Sequence, residues 1–400
     1  MPPTGPPSVP LPLVRGPALD SDARARATRP PAIPGPDDIP TGVSARLAQL
    51  LAGPVEALWS DVAAAGGPPL VEDDGDQRLL TFLWRGADAS SVVLFANKRF
   101  DRANPQRTAL QRAEGTDVWA LTLRVPADWQ ASYQFLVDGG PAVGDPLNPH
   151  VARQGRAQKG VVDLTGTYLT PATAPGLAVP LAVPHELAGP LGPVTVWTVD
   201  PPAGAPAAEI VVLDGRMWVE ELDLAPRLHH AAALGSAPPV RLVLVDTGPE
   251  PHRTALLSCR DEMAVFLADA VAGLADVAFG GPPPNGRYLA GSSLSGLQAV
   301  FTALAFPQVF AGALSQSGSF WWPSAELDPE WLTRSLPAGR QRYCIQDGTD
   351  EWVNTGPTAR LQDALRGAGH SVVDTTVAGG HDRIWWAARF ADGVADLLAT

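Results

Sequence analysis

The chain has 400 residues, of which 45% are apolar and 18% charged, enough to bury the cores of about two or three domains. Its net charge of -13 argues against nucleic acid as a partner, because phosphate would be repelled unless basic residues were strongly clustered. No run reaches the roughly 18 apolar residues of a membrane span, and no early stretch has the length of a signal peptide. The two cysteines do not make a disulfide framework, which favours a cytoplasmic protein without membrane association.

Residues 1–41 are rich in proline and lack periodicity, which predicts a disordered tail. Apolar residues then recur at helical spacing over residues 44–65. From about residue 70 the period changes to two, and short strands alternate with turn residues. These strands predict an antiparallel sandwich domain over residues 42–170. Residues 171–193, rich in proline and alanine, are predicted to form a linker.

Residues 194–400 alternate apolar strands with helices and are predicted to form a second domain. Such alternation predicts an α/β fold with a mainly parallel sheet covered on both faces. Ligands in such sheets bind beyond the carboxyl ends of the strands. We therefore expect the functional residues to follow strand ends.

Ser293 lies where an apolar strand over residues 287–290 turns into a helix that starts near Gly296. Gly291 and Gly296 leave room for a tight turn, although Ser295 stands where the motif G-x-S-x-G has its second glycine. A helix N-terminus behind the serine favours the negative charge that develops in acyl transfer. The pattern predicts that Ser293 is a nucleophile.

A nucleophilic serine needs a histidine base, and the histidine needs a carboxylate that orients it. His381 follows a strand and two glycines and lies C-terminal to Ser293, as the order serine, acid, histidine requires. The acid is expected after the strand over residues 342–346. Asp347 is nearest that strand and is expected to cap the turn, and the spacing leaves Asp350 and Glu351 as alternatives.

Several motifs together resemble the enterochelin (enterobactin) esterase family, within the esterase D-like α/β-hydrolases. The resemblance covers about residues 75–395. It rests on EGTDVW at residues 114–119, DPLNP at 145–149, LDGRMW at 213–218, LSQSGSFWW at 314–322 and GGHD at 379–382. The resemblance implies an all-β immunoglobulin-like sandwich domain followed by an α/β-hydrolase catalytic domain. It implies Ser293 as nucleophile and His381 as base, and it favours Glu351 as the acid, with Asp350 as second choice.

The family hydrolyses ferric catecholate siderophores in the cytoplasm, so a serine esterase that cleaves the backbone esters of such a siderophore is the leading hypothesis. Alternatives are a general carboxylesterase or acyltransferase that acts on another ester, and a binding protein with an inactive site. The oxyanion hole is expected to use the backbone N–H of Leu294 and one from Gly215 or Arg216.

A ferric catecholate is anionic, so cations and aromatic walls are expected around it. Residues 97–99 lie on a sandwich loop that is a less favoured candidate for contact. No metal-ligand spacing is visible, so no cofactor is expected and iron would arrive with the small-molecule substrate. The expected substrate-binding residues are Arg216, Trp218, Arg253, Trp321 and Trp322.

Overall fold

The computed structural model describes residues 12–28, 30, 41–96, 98–100, 104–170, 181–201, 205–323, 328, 330–334 and 336–399. Within these residues no helix is long and apolar enough to cross a membrane. In chain order, the first part of the protein forms α1 (Ser21–Ala27), α2 (Ala45–Leu51), α3 (Val55–Ala64), β1 (Leu70–Asp74), β2 (Gln77–Arg85), β3 (Val92–Ala96), a 3-10 helix (Pro105–Thr108), β4 (Gln111–Arg112), β5 (Val118–Pro126), β6 (Gln130–Val137), β7 (Ala142–Val143), β8 (Val151–Gln154) and β9 (Ala157–Asp163).

Two antiparallel sheets in this part pack face to face. Sheet I has the strand order β1-β2-β5-β4, and sheet II has the order β3-β6-β9-β8 with β7 beside β6. Their inner side chains form one core, in which the rings of Phe82 and Tyr133 meet edge to face at 4.9 Å. Helix α3 covers the other face of sheet I through Leu58 and Trp59, and α2 packs against the same cluster through Leu47 and Leu50.

The remaining elements form a third sheet with helices on both faces. In chain order they are β10 (Val183–Gly189), β11 (Gly192–Val199), β12 (Ala208–Leu213), α4 (Gly215–Glu220), α5 (Leu224–Ala233), β13 (Val240–Val245), α6 (His252–Leu257), α7 (Asp261–Phe266), a π-helical turn (Leu267–Val271), α8 (Ala272–Ala278), β14 (Arg287–Ser292), α9 (Leu294–Ala305), β15 (Gly312–Gln316), β16 (Arg342–Gly348), α10 (Trp352–Gly367), β17 (Ser371–Val377) and α11 (Arg383–Leu398).

Sheet III has the strand order β10-β11-β13-β12-β14-β15-β16-β17 among the described residues, and every pair from β13 to β17 is parallel. Alternate residues of β12 enter different cores: Val211 packs under α9, whereas Ile210 and Val212 pack under α5 and α11. The predicted mixed α/β architecture is thereby confirmed. The parallel pairs bring the carboxyl ends of β12, β14, β15, β16 and β17 to one edge.

The N-terminal segment departs from the prediction of a disordered tail over residues 1–41. Residues 12–28 are ordered on the helical face of sheet III, where the N–H of Leu13 donates to the carbonyl oxygen of Ala305 at 2.9 Å. The N–H of Gly16 donates to Asp261 Oδ1 at 2.8 Å, and Ala27 is buried in the core. The few apolar residues of the segment make these contacts without any helical period that the sequence could reveal. Residues 1–11 and 31–40 lie outside the described residues.

The predicted linker also contains an ordered strand. Strand β10 lies inside the interval 171–193 and pairs with β11 at the edge of sheet III, so this sheet begins before residue 194. Alternation in a single edge strand is a weak signal, and the six prolines of the interval obscured it. Residues 171–180 lie outside the described residues.

The sandwich formed by sheets I and II contacts the loops at the carboxyl edge of sheet III. The N–H of Gln130 donates to the carbonyl oxygen of Ala378 at 3.0 Å. Asp382 accepts hydrogen bonds from the N–H and the hydroxyl of Ser132 at 2.9 and 2.7 Å, and from the N–H of Ile384 at 3.0 Å. The same carboxylate therefore caps α11 and joins it to the sandwich.

Replacing Asp382 by alanine is expected to lower the free energy of unfolding by about 2–4 kcal/mol, because it leaves buried donors of Ser132 unpaired and removes the cap of α11. Urea denaturation measures this change. Asp392→Ala on the same helix is the matched control: its side chain is 54% exposed and pairs with Arg389. The control is expected to cost less than about 1 kcal/mol. Equal losses in the two variants would contradict the assigned role of Asp382.

Candidate active site

Ser293 joins β14 to α9 in a strained backbone conformation. Its φ is 62° and its ψ is -124°, a region that residues other than glycine rarely adopt. The N–H of Ser293 donates to the carbonyl oxygen of Gln316 at 2.9 Å, and its own carbonyl oxygen accepts from the N–H of Ser319 at 3.1 Å. These bonds hold the turn so that the hydroxyl projects beyond the edge of the sheet.

The small residues around Ser293 are required by close packing. A Cβ on Gly291 would lie 2.5 Å from the carbonyl carbon of Ser295, and one on Gly296 would lie 2.5 Å from Ser315 Oγ. The buried hydroxyl of Ser295 accepts from the N–H of Ser292 at 2.8 Å and donates to its carbonyl oxygen at 2.7 Å. The turn therefore accommodates the serine that replaces the second glycine of the motif.

His381 lies between Ser293 and Glu351. Its Nε2 is 2.9 Å from Ser293 Oγ, and its Nδ1 is 2.6 Å from Glu351 Oε2. If Nδ1–H donates to the carboxylate, Nε2 is left to accept the serine proton. The imidazole and the ring of Trp386 lie nearly perpendicular to each other, with centroids 5.0 Å apart. The chain of contacts has the geometry that activates a serine.

The carboxylate of Glu351 is almost completely enclosed, with 1% of its side chain exposed. Besides His381, it accepts hydrogen bonds from Ser317 Oγ at 2.5 Å, Asn354 Nδ2 at 2.9 Å and the N–H of Gly348 at 3.1 Å. Burial alone would raise its pKa, but His381 and these donors outweigh burial and hold the pKa below its ordinary value. Glu351 is therefore ionised at neutral pH.

Asp350, the alternative acid, accepts hydrogen bonds from the sandwich instead of from His381. Both of its oxygens accept from Arg99, with Nε and Nη2 each at 2.9 Å, and Oδ2 also accepts from Trp129 Nε1 at 3.1 Å. The structure therefore brings Glu351, and not Asp350, to His381. Asp350 instead joins the acid loop to the sandwich.

The predicted oxyanion donors lie on the expected elements. Leu294 is the first residue of α9, so its N–H has no acceptor within the helix. Gly215 begins α4 directly after β12, and a Cβ there would lie 2.7 Å from the backbone nitrogen of Val245. Asp214 and Arg216 on either side face the same cavity as Ser293. Donation to an oxyanion by Leu294, Gly215 or Arg216 stays a prediction.

Two cavities adjoin Ser293 and His381. Cavity A has a volume of about 660 Å³ and is lined by Gln154, Lys159, Asp214, Arg216, Met217, Glu221, Asp246, Thr247, Gly248, Pro249, Glu250, Arg253, Ser293, His381, Asp382, Arg383 and Trp386. Cavity B has a volume of about 270 Å³ and is lined by Thr28, Pro30, Lys98, Glu250, Arg253, Thr254, Ser293, Leu294, Ser319, Trp321, Val353, Asn354 and His381.

Three of the five predicted substrate-binding residues line these cavities. Arg216 faces cavity A and pairs with Asp246 at 2.8 Å, Trp321 faces cavity B, and Arg253 faces both. Arg253 Nε and Nη2 each lie 2.7 Å from an oxygen of Asp214. Burial would lower the pKa of Arg253, but Asp214 outweighs burial and raises it. The guanidinium groups of Arg216 and Arg253 therefore line the site, and each already forms a salt bridge with a carboxylate.

The other two predicted substrate contacts are wrong. Trp218 is fully buried under sheet III, where its ring meets that of Phe390 at 4.9 Å. Trp322 is 1% exposed and packs against Trp331. Neither lines cavity A or cavity B. Proximity in sequence to Arg216 and Trp321 placed both tryptophans near the site, but each side chain points into the core.

Several lining residues escaped the sequence analysis. Thr28 and Pro30 belong to the segment predicted to be disordered, so nothing indicated that they reach a cavity. Met217 and Arg383 directly adjoin residues that were singled out, and Arg383 forms a salt bridge with Glu221. Lys159 lies on β9 of the sandwich and had no motif around it.

Two family models match the chain. The model described as "Enterochelin esterase, N-terminal" matches residues 79–157, and the model described as "Putative esterase" matches residues 193–397, just over half of the chain. The iron(III) enterobactin esterase of Dickeya dadantii is 28% identical, over 90% of this chain and 96% of its own. The iron(III) salmochelin esterase of Escherichia coli is 26% identical, over 90% of this chain and 98% of its own.

Solved structures share the fold. The enterobactin esterase from Shigella flexneri, solved in the presence of enterobactin, has a TM-score of 0.72 at 23% identity and covers 86% of this chain and 97% of its own. The ferric enterobactin esterase from Salmonella typhimurium has a TM-score of 0.73 at 23% identity and covers 86% and 98%. Fold, site and family models define an esterase. The chain belongs to the enterochelin esterase family, which confirms the resemblance seen in its motifs.

The two neighbouring carboxylates should respond differently to neutral substitution. Glu351→Gln is expected to lower kcat about 10²–10⁴-fold, because the amide no longer stabilises the imidazolium or selects the correct tautomer. Asp350→Asn is the matched control and is expected to retain kcat within about 10-fold while lowering the melting temperature, since it weakens the pair with Arg99. Steady-state ester hydrolysis and thermal unfolding measure both effects. A larger loss of kcat in Asp350→Asn would contradict the geometry.

Asp347 gives a pH-dependent prediction for stability. Burial and the nearby charge of Glu351 raise the pKa of Asp347 to about 7. Between its ordinary pKa and 7 the folded state therefore binds more protons than the unfolded state, so this group destabilises the fold increasingly as pH rises through that window. The free energy of unfolding of Asp347→Asn minus that of the wild type is expected to increase by at least about 1 kcal/mol from pH 5 to pH 8. Urea denaturation at both pH values measures the difference, and a constant difference would contradict the shift.

Proposed function

We propose that the protein is a serine esterase that hydrolyses the backbone ester bonds of a ferric catecholate siderophore. The observation that carries this proposal is the hydrogen-bonded chain from Ser293 through His381 to Glu351 at the junction of cavities A and B. The names of the relatives, which are iron(III) enterobactin and salmochelin esterases, support the substrate class.

In the proposed mechanism, Ser293 Oγ attacks the ester carbonyl carbon while His381 Nε2 accepts the hydroxyl proton. The carbonyl oxygen becomes an oxyanion, for which the N–H of Leu294 and one from Gly215 or Arg216 are the proposed donors. His381 then returns the proton to the leaving alkoxide. Water, deprotonated by His381, attacks the acyl carbon, and His381 returns that proton to Ser293 Oγ as the bond to the serine breaks and the acid is released. Glu351 stabilises the imidazolium at each stage.

Iron enters this proposal only as part of the substrate. A ferric tricatecholate is anionic, and Arg216 and Arg253 are proposed to contact it from cavity A while Trp321 contacts it from cavity B. Ester cleavage needs the carbonyl carbon at Ser293 and no bond to the iron. We place the reaction in the cytoplasm because both cysteines, Cys259 and Cys344, are free thiols buried in the fold.

We assign sheets I and II to an immunoglobulin-like sandwich and sheet III with its helices to an α/β-hydrolase domain. The face-to-face antiparallel sheets support the first assignment. The strained serine between β14 and α9 supports the second, as does the order Ser293, Glu351, His381 along the chain. The proposed domains span residues 42–170 and, with β10 included, residues 183–400.

A general carboxylesterase or acyltransferase that acts on another ester is the alternative. One observation favours it: cavity A contains five carboxylates, Asp214, Glu221, Asp246, Glu250 and Asp382, which would oppose an anionic ligand. Three of its arginines offset some of these charges through salt bridges.

Product analysis separates the two functions. The wild type is expected to convert a ferric catecholate trilactone to its linear acids, and Ser293→Ala is expected to lower the rate at least about 10³-fold because the nucleophile is lost. Liquid chromatography of the products measures this. Ser319→Ala, which removes a hydroxyl 3.4 Å from that of Ser293, is the matched control and is expected to stay within about 10-fold of the wild type.

Two outcomes would count against the proposal. Rapid turnover of simple esters without cleavage of the trilactone would support the alternative. Trilactone cleavage that persists in Ser293→Ala would exclude Ser293 as the nucleophile.

A further inference from the structure

Lysine is almost absent from this chain. Among its 29 lysine and arginine residues, only Lys98 and Lys159 are lysines. Both line the cavities beside Ser293: Lys98 lines cavity B, and Lys159 lines cavity A. The other lysine or arginine positions are all arginine. Both lysine side chains therefore lie beside the proposed nucleophile.

The two lysines come from the sandwich, whereas Ser293 and His381 come from sheet III. Lys98 lies two positions after the end of β3 and has a left-handed φ of 66°, and Lys159 lies within β9. Both side chains are half-buried. They line separate cavities that both include Ser293, so a ligand that enters both cavities can meet both ammonium groups.

Neither lysine is neutralised by a carboxylate within the described part of the chain. The arginines of cavity A differ: Arg216 pairs with Asp246, Arg253 with Asp214, and Arg383 with Glu221. Burial lowers the pKa of Lys98, although Glu351 opposes the change, and burial likewise lowers the pKa of Lys159, opposed by Asp382. A half-buried cation that forms no salt bridge is costly, and an anionic ligand would offset that cost.

We propose that Lys98 and Lys159 are substrate-binding residues that contact anionic catecholate oxygens, one in each of the two cavities beside Ser293. This proposal rests on the proposed function and adds the sandwich to the substrate site. An ammonium group carries three rotatable donors and suits oxygens that crowd around a metal from several directions. A guanidinium fork suits a planar carboxylate, which is how Arg253 is used here.

Binding to the Ser293→Ala protein tests the proposal without relying on turnover. Quenching of tryptophan fluorescence by a ferric catecholate trilactone gives the Kd of Ser293→Ala alone and combined with Lys98→Met or Lys159→Met. Each lysine substitution is expected to raise Kd about 10-fold, as loss of a charge-assisted contact does. Arg124→Met is the matched control: it removes one positive charge from the sandwich, at an exposed pair with Asp74 away from both cavities, and should leave Kd unchanged.

A second measurement excludes a merely structural role. With Ser293 intact, each lysine variant should lose about 10-fold more kcat/KM with the ferric trilactone than with neutral p-nitrophenyl acetate, because the neutral ester carries no anionic group for the lysines to bind. Lys98→Arg and Lys159→Arg should recover part of the lost affinity for the ferric complex.

The outcomes separate this inference from the proposed function. An unchanged Kd in both lysine variants, an equal change in Arg124→Met, or an equal loss of neutral-ester hydrolysis would overturn the inference. Absence of any binding of the ferric complex to Ser293→Ala would overturn it as well. Weaker binding in the lysine variants of a protein that binds the complex without cleaving it would support the inference while the proposed function fails.

Discussion

The site depends on the hydrogen bonds that the buried carboxylate of Glu351 accepts. It joins four structural elements: the end of β16 through Gly348, the segment after β15 through Ser317, the start of α10 through Asn354, and the loop of His381. A charge this deeply enclosed is tolerated only while its hydrogen bonds are complete. The parallel register of β14, β15, β16 and β17 brings these elements to one edge, where their donors can reach the carboxylate.

The sandwich braces the two catalytic loops at the positions next to the proposed catalytic residues. Asp350, directly before Glu351, is held by Arg99 and Trp129. Asp382, directly after His381, is held by Ser132. The separation between acid and base therefore depends on how the sandwich sits against sheet III. This arrangement gives the sandwich a part in positioning the site, in addition to the lysines it supplies.

The sequence contained enough information to predict the mixed α/β architecture and to select Ser293 and His381, because a strand, a tight turn and a helix leave a strong local pattern. Glu351 and Asp350 could not be separated by spacing, since adjacent residues after a strand point in different directions and tertiary contacts decide which one meets His381. The predicted substrate contacts of Trp218 and Trp322 were wrong for a related reason: periodicity identifies an element but not how deeply each side chain is buried. The ordered segment over residues 12–28 was missed because single apolar residues anchor it without a repeat.

We propose that Ser293 performs covalent catalysis on the siderophore ester. Titration with a fluorophosphonate, followed by peptide mapping in a mass spectrometer and by assay of ferric trilactone hydrolysis, tests this claim most directly. We expect one adduct, located on Ser293, and a loss of trilactone hydrolysis in proportion to the labelled fraction. Full hydrolysis by protein that is completely labelled at Ser293 would contradict it.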